Sequence, residues 1–237
     1  MQKTKIKELI FAIDDKNSKE VLEYIVKKAR EDSKKTFVIT VNPEIIMLEL
    51  DDPSYEKVID SADLRTVDGI GIIIGGQILG KRFKERVHGA DLVDKLSQAI
   101  AKQPITVGFL GGRGNVAQMS AECLKKNYPD LKVAFALEEM NEFDFSKHKC
   151  DILFVAFGSP KQEKWIYDNL PKLNTRVAIG VGGSFDFISG KVRRAPVIIR
   201  QLGLEWFFRL IIQPWRLKRQ LKLIHFVLLI IKEKLFD

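Results

Sequence analysis

Apolar residues along this chain alternate between two spacings. Short runs rich in β-branched or aromatic side chains stand at residues 9–13, 36–41, 105–110, 131–136, 152–157 and 177–181, and read as strands. Between them, apolar positions recur at helical spacing over 18–29, 43–50, 90–101, 116–127 and 161–170. This alternation, cleanest over 103–182, predicts an α/β fold: a Rossmann-like, mostly parallel sheet with flanking crossover helices. Several predicted strands run directly into Gly, Asn-Pro or Ser-Pro, at the edge where open α/β sheets place ligand sites.

The pattern changes over residues 190–196. It divides the chain into an α/β body, 1–195, and a C-terminal amphipathic helical appendage, 196–237. Leu217, Leu221, Ile224, Leu228 and Ile231 fall on one face of a helix, bordered by Arg216, Lys218, Arg219 and Lys222. Charge follows the same boundary. The formal net charge of +8 on 237 residues is carried from Lys191 onward, where eleven Lys and Arg stand against three acids, Glu205, Glu233 and Asp237. The rest is electroneutral, so the basicity describes one end of the molecule, and nucleic acid is not the expected partner. A basic helix with an apolar face lies in a membrane interface, each basic residue near anionic lipid contributing about 1 kcal/mol. The same face could pack on the body or form a dimer seam, so a homo-oligomer stays open.

No apolar run approaches the ~20 residues of a spanning helix; 226–231 is among the longest. The N-terminal segment is basic but has no signal-peptide core, because Asp14 and Asp15 interrupt it. Two cysteines, Cys123 and Cys150, make no disulfide framework and have no metal-ligand spacing. The expectation is a cytoplasmic protein, peripheral on the inner face of the cell membrane.

Four stretches could carry chemistry. Gly111, Gly112 and Gly114 form a glycine-rich turn between a predicted strand and helix, able to bring backbone N–H groups to a phosphate or simply to make a tight turn. Gly112-x-Gly114-x-x-Ala117 loosely matches a dinucleotide fingerprint, with Glu138 and Glu139 as ribose partners. Gly158-Ser159-Pro160-Lys161-Gln162-Glu163 follows another strand and suits a capped helix start, with Ser159 as N-cap and Pro160 at the first helical position. Gly180, Gly182, Gly183 and Asp186 form a third cluster, an anion nest or a bulged turn. Last, Asp68 precedes a glycine in apolar surroundings, where desolvation makes a carboxylate a better base; a turn or cap role is the alternative. His88 reads as a lone histidine beside Arg86, with no second ligand at metal spacing.

Taken in order, Thr40-x-Asn42-Pro43-Glu44, Asp68-Gly69-x-Gly71, Glu85-Arg86-Val87-x-Gly89-x-Asp91-Leu92, Gly158-x-Pro160-Lys161-Gln162-Glu163, Gly180-x-Gly182-x-x-Phe185-Asp186, Arg194-Ala195-Pro196 and Leu202-Gly203-Leu204-Glu205-Trp206 resemble the WecG/TagA/CpsF bacterial glycosyltransferases, family 26. The resemblance spans nearly the whole chain. It implies a membrane-associated inverting enzyme that moves a sugar from a UDP donor, N-acetylmannosamine in the teichoic-acid members, onto N-acetylglucosamine on undecaprenyl diphosphate. By matching motif it makes Asp68 the general base and places Thr40 beside it to position the acceptor. Asn42, Arg86, Gln162, Gly111, Gly112, Gly182, Gly183 and Asp186 become substrate-binding positions. Arg209, Arg216 and Arg219 become appendage arginines reaching the active site. His88 departs from the Thr or other small residue more usual in the family, and the turn at Gly111–Asn115 departs from the family's usual one.

No D-x-D motif occurs; a near match is Glu142-Phe143-Asp144. Arginines then have to stabilise the leaving diphosphate by bidentate contact, and no metal or other cofactor is expected. Two other readings remain: a nicotinamide-dependent oxidoreductase built on Gly112-x-Gly114-x-x-Ala117, and a non-enzymatic binder of anionic surfaces built on the tail.

Overall fold

The computed structural model describes residues 5–31, 34–139, 143–214 and 217–236. Six parallel strands, β1 (Thr36–Val41), β2 (Leu64–Val67), β3 (Thr106–Gly111), β4 (Lys132–Leu137), β5 (Ile152–Ala156) and β6 (Val177–Gly180), form one sheet in the order β2-β1-β6-β5-β3-β4. Alternate residues of one strand enter different layers of core. In β5, Ile152 and Phe154 pack on one face, and Leu153 and Val155 on the other. Both faces of the inner strands are therefore covered, which is why these strands read as unbroken apolar runs.

One layer holds α2 (Ser18–Arg30), α6 (Gly89–Ile100), α7 (Val116–Asn127) and the short α9 (Ser184–Ile188). The opposite layer holds α1 (Ile6–Phe11), α3 (Pro43–Asp51), α4 (Pro53–Asp60), α5 (Ile70–Leu79), α8 (Lys161–Asn169) and α12 (Leu217–Phe236). Sequence signals start several of these helices. Asn17 and Glu20 close a reciprocal capping box on α2, and the Asn42 side chain accepts from the Ile45 N–H at the start of α3. Two short helices, α10 (Val197–Gln201) and α11 (Glu205–Ile212), link α9, which follows the last strand, to α12.

The strand expected at 9–13 is a helix. Ile6, Leu9 and Ile10 are buried at i, i+3 and i+4, a helical spacing that a five-residue apolar window cannot tell from a buried strand. In its place β2 supplies the sixth strand, pairing with β1 at the sheet edge.

The helix α12 presents two apolar faces. Phe226 and Ile230 are buried in the same core as Phe37 of β1, against α5, where Gly75 lets them come close; a Cβ there would stand 3.2 Å from both side chains. The predicted stripe, Leu217, Leu221, Ile224, Leu228 and Ile231, points outward and is 45–59% exposed. Among the described residues, no helix is long and apolar enough to cross a membrane.

Glu49 on α3 is buried, and its Oε1 has no hydrogen-bond partner. Burial pushes its pKa up to about 7, with Arg65 opposing. The folded protein keeps this proton after the unfolded chain has released it, so stability falls as pH rises from about 4.5 to about 7 and then levels off. Denaturant titrations should show Glu49→Gln gaining about 2–3 kcal/mol near neutral pH and flattening this segment of the profile. An unchanged profile would place the titration elsewhere.

Candidate active site

Four strand ends open into one cleft of about 270 Å³ at the C-terminal edge of the sheet. Asn42 follows β1, Asp68 follows β2, Ser159 follows β5 and Gly183 follows β6, and all four line it. Arg86 and His88 enter from the segment before α6, while Arg194, Glu205 and Arg209 enter from the C-terminal part of the chain. The cleft is therefore closed by residues far apart in sequence.

Asp68 is fixed by its backbone. Its N–H donates to the Val41 carbonyl at 2.7 Å, and the next residue, Gly69, takes φ +97° as the N-cap of α5. That backbone conformation favours glycine, and α5 starts without any side-chain cap, so the Asp68 carboxylate is not used to cap the helix. One oxygen, Oδ1, lies 3.1 Å from His88 Nδ1. A single backbone bond explains the pairing: the Val87 N–H donates to the Val67 carbonyl at 2.7 Å, so the residues that follow, 88 and 68, come to lie side by side.

Beneath the cleft the turns are locked by buried polar groups. Gln162 Oε1 accepts from the N–H groups of Gly158 (3.2 Å) and Gly182 (2.9 Å), joining the turn after β5 to the turn after β6. Gln162 Nε2 and the Ser159 hydroxyl donate to Glu163 Oε1 at 2.7 and 2.8 Å. Burial pushes the Glu163 carboxyl pKa up. Thr40 is also buried and donates to the Gly180 carbonyl at 3.2 Å. A Cβ on Gly180 would stand 2.9 Å from Gln162 Nε2, which accounts for a glycine at that position.

Arginines dominate the rim. Arg194 bonds Asp91 Oδ1 at 2.6 Å and Glu205 Oε1 at 3.4 Å. Burial opposes the Asp91 charge, but the bond and charge of Arg194 outweigh it and hold the carboxyl below its usual range. Arg209 lies over the Phe187 ring at 4.5 Å, with Asp186 Oδ2 at 3.8 Å. Arg86 donates to the Arg200 carbonyl at 2.7 Å, tying the body to α10. Guanidinium groups of this kind can hold a diphosphate, opposite a carboxylate able to take a proton.

A model of the glycosyl transferase WecG/TagA/CpsF family matches residues 6–237. The chain belongs to that family. Among curated proteins it is similar to the N-acetylglucosaminyldiphosphoundecaprenol N-acetyl-beta-D-mannosaminyltransferase of Bacillus subtilis (strain 168), with 33% identity over 203 residues, 83% of this chain and 79% of the relative. It is also similar to proteins of that name from Bacillus spizizenii, 33% identical over 85% of this chain and 81% of the relative, and from Staphylococcus aureus (strain MRSA252), 29% identical over 81% and 78%.

In this WecG/TagA/CpsF glycosyl transferase, the cleft gathers Asn42, Asp68, Arg86, Gly183 and Arg209 from the positions expected in sequence. Thr40 and Gln162 lie beneath it as buried braces, and Asp186 stands behind Arg209. Gly182 belongs to the braced turn. Gly111 and Gly112 do not line the cleft; they form the turn after β3, where φ values of +117° and +74° favour glycine. At that turn the N–H of Asn115 donates to Glu138 Oε1 at 2.6 Å, and Glu139 pairs with Lys161, so both acids expected as ribose partners are engaged within the protein. The helix α8 starts at Lys161 with Pro160 as its N-cap, one residue later than expected, and Ser159 serves Glu163 instead of capping. Arg216 lies outside the described residues, as does the side chain of Arg219. Sequence reading passed over His88 as a ligand of the Asp68 carboxylate. No spacing rule links residues 68 and 88, and only the Val87–Val67 bond brings them together.

Proposed function

We propose that this glycosyl transferase moves N-acetylmannosamine, or a closely related hexosamine, from UDP to the N-acetylglucosamine of a polyprenyl-diphosphate carrier, inverting the anomeric centre. The observation that carries the reading is the meeting of Asp68 with Arg86 and Arg209 in one cleft at the C-terminal edge of the sheet. Asp68 takes the proton of the acceptor hydroxyl as its oxygen bonds to the anomeric carbon. On the other side of that carbon, the bond to the diphosphate breaks, and its electron pair leaves with UDP. Arg209 and the neighbouring appendage arginines offset the charge that develops there, the task a divalent metal performs in many transferases. The names of the similar proteins support the donor sugar and the acceptor.

A polyprenyl substrate stays in its bilayer, so the enzyme works at the membrane surface, on the cytoplasmic face where UDP-sugars are made. The outward stripe of α12 supports this placement. Ile198, Leu202, Phe207 and Ile211, on and beside α10 and α11, are exposed apolar side chains as well, and their chain neighbours Gly203 and Trp206 line the cleft.

The reading is tested with UDP-N-acetylmannosamine and a short-chain lipid-linked N-acetylglucosamine acceptor. The expected result is product with inverted configuration, formed equally well in EDTA. Failure of every UDP-hexosamine would end the proposal, whereas activity lost in EDTA and restored by Mg²⁺ would return the leaving-group role to a metal.

A further inference from the structure

His88 occupies a position where its side chain has an ordinary job that it does not do. It is the N-cap of α6, with extended backbone angles of φ −68° and ψ 136°, yet it makes no side-chain cap bond. Ser, Thr, Asn and Asp cap helices because a short side-chain oxygen reaches the first-turn N–H groups, and imidazole is a poor substitute. The ring turns instead into the cleft, between two carboxylates from opposite sides. Nδ1 is 3.1 Å from Asp68 Oδ1, and Nε2 is 3.6 Å from Glu205 Oε2 on α11. Nε2 is buried and has no hydrogen bond of its own, so the ring is aimed and not merely packed.

The groups facing this ring come from three elements: Asp68 after β2, Glu205 on α11 and Asp91 on α6. Arg194 anchors both acids behind it, and Arg200 Nη1 stands 3.8 Å from Asp91 Oδ1. Carboxylates only accept, so a ring nitrogen facing one is useful when it carries a proton. His88 Nδ1 stands beside Asp68 Oδ1, at ion-pair distance. Among the described residues, no donor reaches Oδ2.

We propose that His88 is a positioning residue for the transfer step: held between Asp68 and Glu205, it fixes the Asp68 carboxylate so that Oδ2 is presented to the acceptor hydroxyl. No proton leaves the ring; the hydroxyl proton passes to Asp68 Oδ2 as the acceptor oxygen bonds to the anomeric carbon and the bond from that carbon to the diphosphate breaks, its electron pair leaving with UDP. The inference rests on Asp68 being the base.

The test uses steady-state kinetics on the full chain, with the UDP-sugar and the short-chain lipid-linked acceptor. His88→Ser supplies a strong N-cap but cannot reach Asp68. It should keep or raise the melting temperature while lowering kcat about 10- to 100-fold, with KM for the UDP-sugar within about twofold. His88→Asn, whose amide N–H can stand in for Nδ1, should recover most of kcat. In an Asp68→Asn background, His88→Ser should cost nothing further, because its effect passes through Asp68. Wild-type kcat in His88→Ser, no recovery in His88→Asn, or losses that multiply in the double variant would each overturn the proposal while leaving Asp68 as the base. Full activity of Asp68→Asn alone would remove the base reading and this inference with it.

Discussion

Asp68→Asn is expected to fold like the parent and to lose about 100- to 10,000-fold in kcat, the range typical of a missing general base. Asn preserves the shape of the side chain and the backbone N–H bond to Val41. It also keeps an oxygen next to His88 Nδ1. At the second oxygen it puts an NH₂ group, which has no lone pair for the acceptor's proton. The fold should be indifferent, because Gly69 and not Asp68 caps α5, and among the described residues only His88 pairs with the lost charge. Circular dichroism and calorimetric UDP binding should match the parent. A near-parent rate would make Asp68 an ordinary turn residue.

Opposite results are expected from the two faces of α12. Replacing Leu221 and Leu228 by Glu changes side chains that are 58% and 59% exposed, so the melting temperature should hold. Each apolar side chain removed from the membrane interface costs up to about 1.5–3 kcal/mol, and each new carboxylate is repelled by anionic lipid, so partition onto anionic vesicles should fall about 100-fold or more. Transfer to a water-soluble acceptor analogue should survive. Phe226→Ala acts from the other face. It empties a position that is 1% exposed, against α5, and should cost about 3–5 kcal/mol of stability in solution without any membrane present. Sedimentation with vesicles and thermal melts separate the two effects. Unchanged vesicle binding in the Leu221/Leu228 variant would mean that the stripe is not the contact surface.

Much of the architecture is legible in the apolar rhythm. The windows expected at 36–41, 105–110, 131–136, 152–157 and 177–181 are strands within a residue or two at their ends; all but the partly exposed edge strand β4 are buried on both faces and so cannot alternate with polar residues. Leu64–Val67 escaped notice for the converse reason. It is a four-residue edge strand, broken by Arg65, too short to show a period. The 9–13 run falls largely in a helix, because five apolar residues do not distinguish a buried turn of helix from a strand.

The site was legible in part. Asn42, Gly111, Gly158 and Gly182 stand directly after predicted strands, and a parallel sheet sends all such positions to one edge, whereas Asp68 follows β2, which showed no strand pattern, and was marked only by the glycine after it and by the family motif. By itself, then, the sequence determined the α/β class, the family, the active edge and the basic, apolar character of the C-terminal end. Three matters were left to the tertiary structure. One is the His88 contact with Asp68, which depends on a backbone bond between segments twenty residues apart. Another is the burial of Thr40 and Gln162 beneath the cleft, since a polar side chain is named by its type but assigned to floor or wall only by what packs over it. The last is which face of α12 docks: both faces are apolar at helical spacing, and the glycine at position 75 of α5 admits Phe226 and Ile230, leaving Leu221 and Leu228 outside. Periodicity reports that a face is apolar, and only the shape of the neighbouring surface selects what it meets.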